Sequence, residues 1–181
     1  MKKVCMMLAA FGAFALVAGE KLDVNGNFAG SEVGAKEPKG WVYNTSTKPV
    51  GTGEVVKAGD ELGVKIVNPK GTLHYFVNKF FPVAAGETYE VSVDATGTGK
   101  AGVGIYYYNE KGWVRGVYSE PQKLAEGENK VTAKFTVPEE VRVKVKDQEE
   151  VKVPTKVRFA FMVVGQGEVV FKNFAVEKES K

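Results

Sequence analysis

Apolar and polar residues alternate along most of this chain with a period of two. Tyr89, Val91, Val93 and Ala95 are interleaved with Glu90, Ser92 and Asp94, the pattern of a strand with one face buried. Val103, Ile105 and Tyr107 alternate with Gly104, Tyr106 and Tyr108, after which Asn109-Glu110-Lys111-Gly112 predicts a turn into a strand from Trp113 to Tyr118. Val131, Ala133, Phe135 and Val137 alternate with Thr132, Lys134 and Thr136, and Pro138 ends that strand. Toward the C-terminus, apolar runs from Val157 to Val164 and from Val169 to Val176 flank Gly165-Gln166-Gly167. After the opening residues no helical stripe of about ten residues occurs, and Gly and Pro recur too often for one. Short strands separated by such turns predict an all-β chain folded as an antiparallel β-sandwich.

One domain is expected over residues 20–181. Within it, the segment 139–153 stands apart. Val141, Val143 and Val145 alternate with Arg142, Lys144 and Lys146, and Val151 and Val153 flank Lys152 beyond Asp147-Gln148-Glu149-Glu150. This reads as a charged hairpin insertion whose lysines discourage edge pairing, with a disordered loop as the competing reading. The first 19 residues differ in kind. Lys2 and Lys3 precede an apolar run from Val4 to Ala18, and Val17-Ala18-Gly19 offers small residues for cleavage before Glu20. That pattern predicts a signal peptide, too short for a membrane span, and hence an exported protein, periplasmic or extracellular. The Lys-Lys start fits a bacterial exporter.

Charge and cysteine narrow the classes. The sequence has 25 Lys and Arg against 22 Asp and Glu. Loss of Lys2 and Lys3 with the leader removes most of that excess, so little is left to release counterions, and nucleic acid is not expected as a partner. Cys5, the one cysteine, leaves with the leader too. The mature chain then has no disulfide, thiol nucleophile or thiolate metal site. No later apolar run is long enough for a membrane span.

Three patches, in order, carry a family resemblance. The mature chain opens with Leu22-Asp23-Val24-Asn25-Gly26-Asn27-Phe28, followed by Gly40-Trp41. Phe81-Pro82-Val83-Ala84-Ala85-Gly86-Glu87-Thr88-Tyr89-Glu90-Val91-Ser92 stands in the middle. Gly167-Glu168-Val169-Val170-Phe171-Lys172-Asn173-Phe174-Ala175-Val176-Glu177-Lys178 stands at the end. From Leu22 to Lys178 the chain resembles the family-four and family-nine carbohydrate-binding modules, with their galactose-binding-domain-like jelly roll. The resemblance implies a secreted, non-catalytic module that binds poly- or oligosaccharide. It also implies a structural calcium near the chain ends, but two of the family's acids are replaced here by Ala29 and Lys172. Calcium takes about 6–8 oxygen ligands, and a lysine opposes the ion. Asp23 and Glu32 remain as substitutes, and the expectation is that no cofactor is bound.

The chemistry open to the remaining residues is limited. Gly97-Thr98-Gly99-Lys100-Ala101-Gly102 is a literal GxGxxG, yet a strand follows it where a dinucleotide site needs a helix, so it reads as a glycine loop between two strands. His74, the single histidine, reads as a hydrogen-bonded structural residue, with a sugar contact as the alternative. Glu139-Glu140 and Glu149-Glu150 lie in charged turns and read as solvated surface, not as the paired acids of a glycosidase. Aromatic residues are more informative, because sugar rings present apolar C–H faces that lie flat on Tyr or Trp while polar neighbours bond the hydroxyls. If Val103, Ile105 and Tyr107 face the core, Tyr106 and Tyr108 face outward, and the same parity exposes Glu90 and Asp94 on the preceding strand and Arg158 on a later one. Trp113 and Tyr118 flank the hairpin at opposite parities. The candidate carbohydrate site is therefore Tyr106, Tyr108, Trp113, Glu90, Asp94 and Arg158, with no catalytic residue and no metal ligand. Ordinary packing is the competing reading for the tyrosines. Trp41 reads as core, as do Phe76, Phe80, Phe135, Phe159, Phe161 and Phe171. The alternative function is a cell-envelope or surface protein-interaction domain; a small glycan hydrolase is a third reading.

Overall fold

The structure, a computed structural model, describes residues 19–45, 51–146 and 148–180. The leader predicted for the first 19 residues lies outside them apart from Gly19. Every regular element among the described residues is a strand. In chain order these are β1 (Glu20–Lys21), β2 (Trp41–Thr45), β3 (Thr52–Ala58), β4 (Glu61–Asn68), β5 (Leu73–Asn78), β6 (Phe81–Pro82) and β7 (Thr88–Asn109). There follow β8 (Gly112–Tyr118), β9 (Gln122–Lys123), β10 (Asn129–Thr136), β11 (Val141–Val145), β12 (Gln148–Lys152) and β13 (Lys156–Lys178).

Two long strands organise the sandwich. β7 and β13 run antiparallel along almost their whole length, and both cross from one layer to the other. In the first layer, the C-terminal half of β7 and the N-terminal half of β13 are flanked by β8 on one side and by β5 and β2 on the other. In the second layer, the N-terminal half of β7 pairs with β10, and the C-terminal half of β13 pairs with β4, which pairs with β3. The architecture is the all-β jelly-roll sandwich.

The crossing explains the glycines. Gly97-Thr98-Gly99 is no loop, contrary to the sequence expectation, because β7 continues through it without interruption. Gly165-Gln166-Gly167 likewise lies inside β13, and the pairing register shifts between Val164 and Glu168. At this bend the two backbones approach so closely that a side chain on Gly97 would fall on the Glu168 carbonyl oxygen and one on Gly167 on the Thr98 carbonyl. Gly97 also has a φ of 135°, a region that glycine alone visits freely.

Rings from both layers meet in the core. Phe161 of the first layer lies 4.8 Å from Phe171 of the second, centroid to centroid, and 5.0 Å from Trp41. Tyr89 and Phe159 meet at 5.3 Å in the same way. Trp41 is buried and donates its indole N–H to the Asn25 carbonyl at 3.2 Å. His74 is fully buried in β5, with one ring nitrogen on the Tyr43 hydroxyl and the other 2.7 Å from the Thr72 hydroxyl. Burial pushes its pKa down, so the ring is neutral and structural. Phe80 departs from the core assignment. It is 50% exposed, because it sits between β5 and β6 on the outer side of the first layer.

Residues 141–145 and 148–152 pair as a separate two-stranded hairpin. Val141 is buried in the main core, whereas Val151 and Val153 are exposed.

Candidate functional site

A second apolar cluster lies outside the core, on the outer face of the first layer. Val77, Tyr106, Ala160 and Met162 form its buried floor, and Leu73, Tyr75, Tyr108 and Val164 pack around them. Register places these residues side by side: Arg158 opposite Tyr106, Ala160 between Gly104 and Val77, and Met162 between Gly102 and Tyr75. Small residues shape the floor. A Cβ on Gly104 would meet Tyr118 Cδ1 at 2.8 Å and Met162 Cε at 2.9 Å, and one on Gly116 would meet the Tyr118 hydroxyl at 2.6 Å. Glycine at these outward positions lets the Tyr106 and Tyr118 rings lie down over β7 and β8.

The rings form a strip across the sheet. Tyr75 stacks on Tyr106 at 5.2 Å with an 18° interplanar angle, and Tyr118 meets Tyr106 edge-on at 5.6 Å. Phe80 packs edge-on against Tyr108 at 4.9 Å, and the Arg158 guanidinium lies 5.1 Å from the Phe80 ring centroid. Arg158 is anchored from below, donating through Nε to the Asn78 carbonyl at 2.5 Å and more weakly to the Val77 carbonyl. Tyr106 is the buried centre. Its hydroxyl has no hydrogen-bond partner of good geometry, although the Tyr118 and Tyr75 phenols crowd it. Burial first, then those two neighbours, raises its pKa far above the phenol range. Burial likewise raises that of Tyr75.

Four of the six expected residues come together here. Tyr106, Tyr108, Arg158 and Trp113 share the face, with Trp113 opposite Tyr108 in the pairing of β8 with β7. Tyr106 is floor, not platform. Glu90 and Asp94 do not join them, since they point outward from the second layer, where Glu90 is 3.7 Å from Lys134 and Asp94 accepts from Asn173 at 3.0 Å. Equal parity along β7 means outward in both halves, but the bend at Gly97 turns the two outward faces to opposite sides of the sandwich. Trp113 and Tyr118 also depart from expectation. They share one face, because a register shift between Tyr107 and Tyr108 places an extra residue in β8.

Tyr75 and Val42 are additional to the expected residues, and Phe80, expected in the core, stands on this face instead. The signal for Tyr75 was present in β5, where Leu73, Tyr75 and Val77 alternate with His74 and Phe76. A strand that carries apolar residues on both faces in an antiparallel sheet has something to cover on each. Of the exposed large apolar side chains, Val42, Phe80, Trp113 and Tyr118 lie on this face, at 43–60% exposure. Two hollows among the described residues lie elsewhere. One of about 470 Å³ is lined by Arg115, Lys134, Glu140 and Arg142, and one of about 300 Å³ by Asp23, Asn25, Lys39 and Lys79.

Solved structures share this arrangement of strands. A family 11 carbohydrate-binding module of the Clostridium thermocellum cellulase Lic26A-Cel5E aligns with a TM-score of 0.56 at 10% identity, over 91% of this chain and 98% of the module. The chain has the fold of carbohydrate-binding modules. A cyclase from Fischerella sp. TAU, in complex with 4-(1H-indol-3-yl)butan-2-one, gives 0.60 at 11% identity over 88% of this chain and 98% of that one. The enzymatically active domain of tailspike protein 4 from bacteriophage CBA120 gives 0.61 at 12% identity; the match takes in 86% of this chain but 21% of the tailspike. No family model and no curated protein sequence matches. Identities this low convey the fold, and the fold serves binding modules and enzymes alike.

Proposed function

We propose that the protein is an exported, non-catalytic carbohydrate-binding module that takes a poly- or oligosaccharide on the aromatic face. The observation that carries this is the ring of exposed aromatic side chains, Tyr118, Trp113 and Phe80, around a buried phenol and an anchored arginine. Flat apolar rings receive the C–H faces of sugars, and the Arg158 guanidinium and tyrosine hydroxyls supply polar contacts at their edges. Tyr106 and Tyr108 set the height and tilt of the exposed rings. Glu90 and Asp94, on the other layer, have no part in this site.

The residues of this face and of the chain ends favour binding over catalysis and over a metal. Outward strand positions of this face include no Asp or Glu, whereas glycoside hydrolysis needs two carboxyl groups about 5–10 Å apart across the sugar. At the chain ends, where the resemblance implies calcium, the Asn25 amide donates to the carbonyls of Ala29 at 3.3 Å and Lys39 at 2.8 Å. Lys172 brings its own positive charge between Glu61 and Glu128, at 3.4 and 3.1 Å. Donors and a cation at these points do not suit a calcium site.

A second reading, a cell-envelope or surface domain that binds another protein, is favoured by the exposed Val151 and Val153 on the projecting hairpin. Affinity gel electrophoresis over a panel of neutral and acidic polysaccharides separates the two. Retardation by a glycan, lost in the Tyr118→Ala/Phe80→Ala double variant with an unchanged melting temperature, is the expected result. Retardation that survives the double variant would displace the site, and none with any glycan would favour the protein partner.

A further inference from the structure

We propose, resting on the glycan reading above, that the ligand of the aromatic face is an acidic polysaccharide whose sugar rings carry carboxylates. Charged side chains on the strands of this face are all cationic. Lys100, Lys156 and Arg158 occupy outward positions of β7 and β13, and Lys123 of β9 lies directly opposite Lys100. Pairing without a register shift from Lys100 to Tyr108 keeps Lys100 on the side of Tyr106. Lys156 meets Glu110 of the hairpin turn at 3.7 Å. Arg158, Lys100 and Lys123 have no carboxylate within ion-pairing distance among the described residues.

The other layer is built differently. Its outer face answers its central cations in place: Lys65 with Glu54 at 2.9 Å, Lys134 with Glu90 and Glu179, Lys172 with Glu61 and Glu128. A chain of nearly balanced charge thus leaves uncompensated positive charge beside its exposed aromatic rings.

Like charges directly opposite in an antiparallel pair repel, so the Lys100–Lys123 pair gains from an anion between or above it. Arg158 is fixed by the Asn78 carbonyl and the Phe80 ring, so its remaining N–H groups form a pre-set fork that matches a carboxylate. A neutral glycan laid over this face would strip water from Arg158 and leave the charge unpaired, which is unfavourable. A uronate replaces that water with a partner.

The test compares polygalacturonate and alginate with their esterified forms, which keep the rings and lose the charge, and with neutral xylan, using the whole mature protein in affinity electrophoresis. Retardation by a uronate polymer, weakened about tenfold by esterification, is expected, and so is weakening between about 50 and 300 mM salt. Arg158→Gln should lower affinity about tenfold. Lys100→Ser/Lys123→Ser, at exposed positions that keep the fold, should lower it about threefold, and the control Lys57→Ser/Lys130→Ser on the other layer should not. Equal binding of esterified and acidic polymers, or binding of xylan alone, would overturn the acidic class and leave the glycan reading intact. An equal loss in the control variant would show binding to bulk charge and overturn the assignment to this face. No retardation by any glycan would remove the glycan reading and this inference with it.

Discussion

Glu87, just before β7, accepts the Ala84 N–H at 2.9 Å, the Tyr89 hydroxyl at 2.7 Å and the Lys178 ammonium at 2.5 Å. Partial burial favours its neutral form, but these three donors together outweigh burial and hold its pKa near about 2, against an ordinary 4.5. The carboxylate is charged in both the folded and unfolded chain at neutral pH, and below pH 4.5 the unfolded chain takes the proton first. Its contribution, on the order of 2 kcal/mol after allowance for solvent, is therefore present above 4.5 and lost as pH falls toward 2. Urea unfolding should find Glu87→Gln less stable by about that amount at pH 7, with the gap narrowing below pH 4.5 and closing only as pH falls to about 2. A gap that persists in acid would mean that the carboxylate's charge is not what stabilises the fold. His74 shows what is legible at this scale. A lone histidine could be read as structural from its sequence alone, but its partners Tyr43 and Thr72 come from the pairing of β2 with β5 and from the turn before it. No spacing rule joins residues 31 positions apart.

Elements were more legible than their ends. Alternation marks β7, β8, β10 and β13 from the sequence, because period two reports burial on one face directly. It did not show that the segments on either side of Gly97 form one strand, or that those flanking Gly165–Gly167 form another. A glycine pair looks the same whether it ends a strand or bends it; the close approach of a second backbone decides which. Gly97→Ala should therefore cost about 2–4 kcal/mol, from a strained φ together with collision on the Glu168 carbonyl. Gly127→Ala, which has positive φ and open space around it, should cost about 1 kcal/mol. Chemical denaturation of the two variants checks the pair, and equal losses would mean that the bend tolerates a side chain. Likewise, simple parity divides Trp113 from Tyr118, and the one-residue bulge in β8 reunites them. Only hydrogen-bond register reveals a bulge.

At the scale of the molecule, Phe161 ties the layers together. It meets Phe28, Trp41, Phe76, Phe171 and Phe174 at centroid distances of 4.8–5.8 Å. Phe161→Ala should cost about 3–5 kcal/mol, whereas Phe80→Ala, at a half-exposed position, should cost under about 1 kcal/mol. Thermal melts of the two variants would reverse this order if the sandwich core lay elsewhere. Charge is also arranged at this scale. Near-balance of basic and acidic residues conceals a face whose strand positions carry only cations and another whose central cations Lys65, Lys134 and Lys172 are held in ion pairs, since a sum over the sequence has no geometry. The sequence by itself determined the all-β class, the strands with one buried face, and Trp41, Phe161 and His74 as structural residues, because each follows from local periodicity or residue chemistry. Tertiary structure alone decided that Tyr75, Tyr106 and Tyr118 meet, that Arg158 joins them, and that Glu90 and Asp94 do not. A bent strand keeps its parity while its outward face changes sides, and that change is fixed by the packing of one layer on the other.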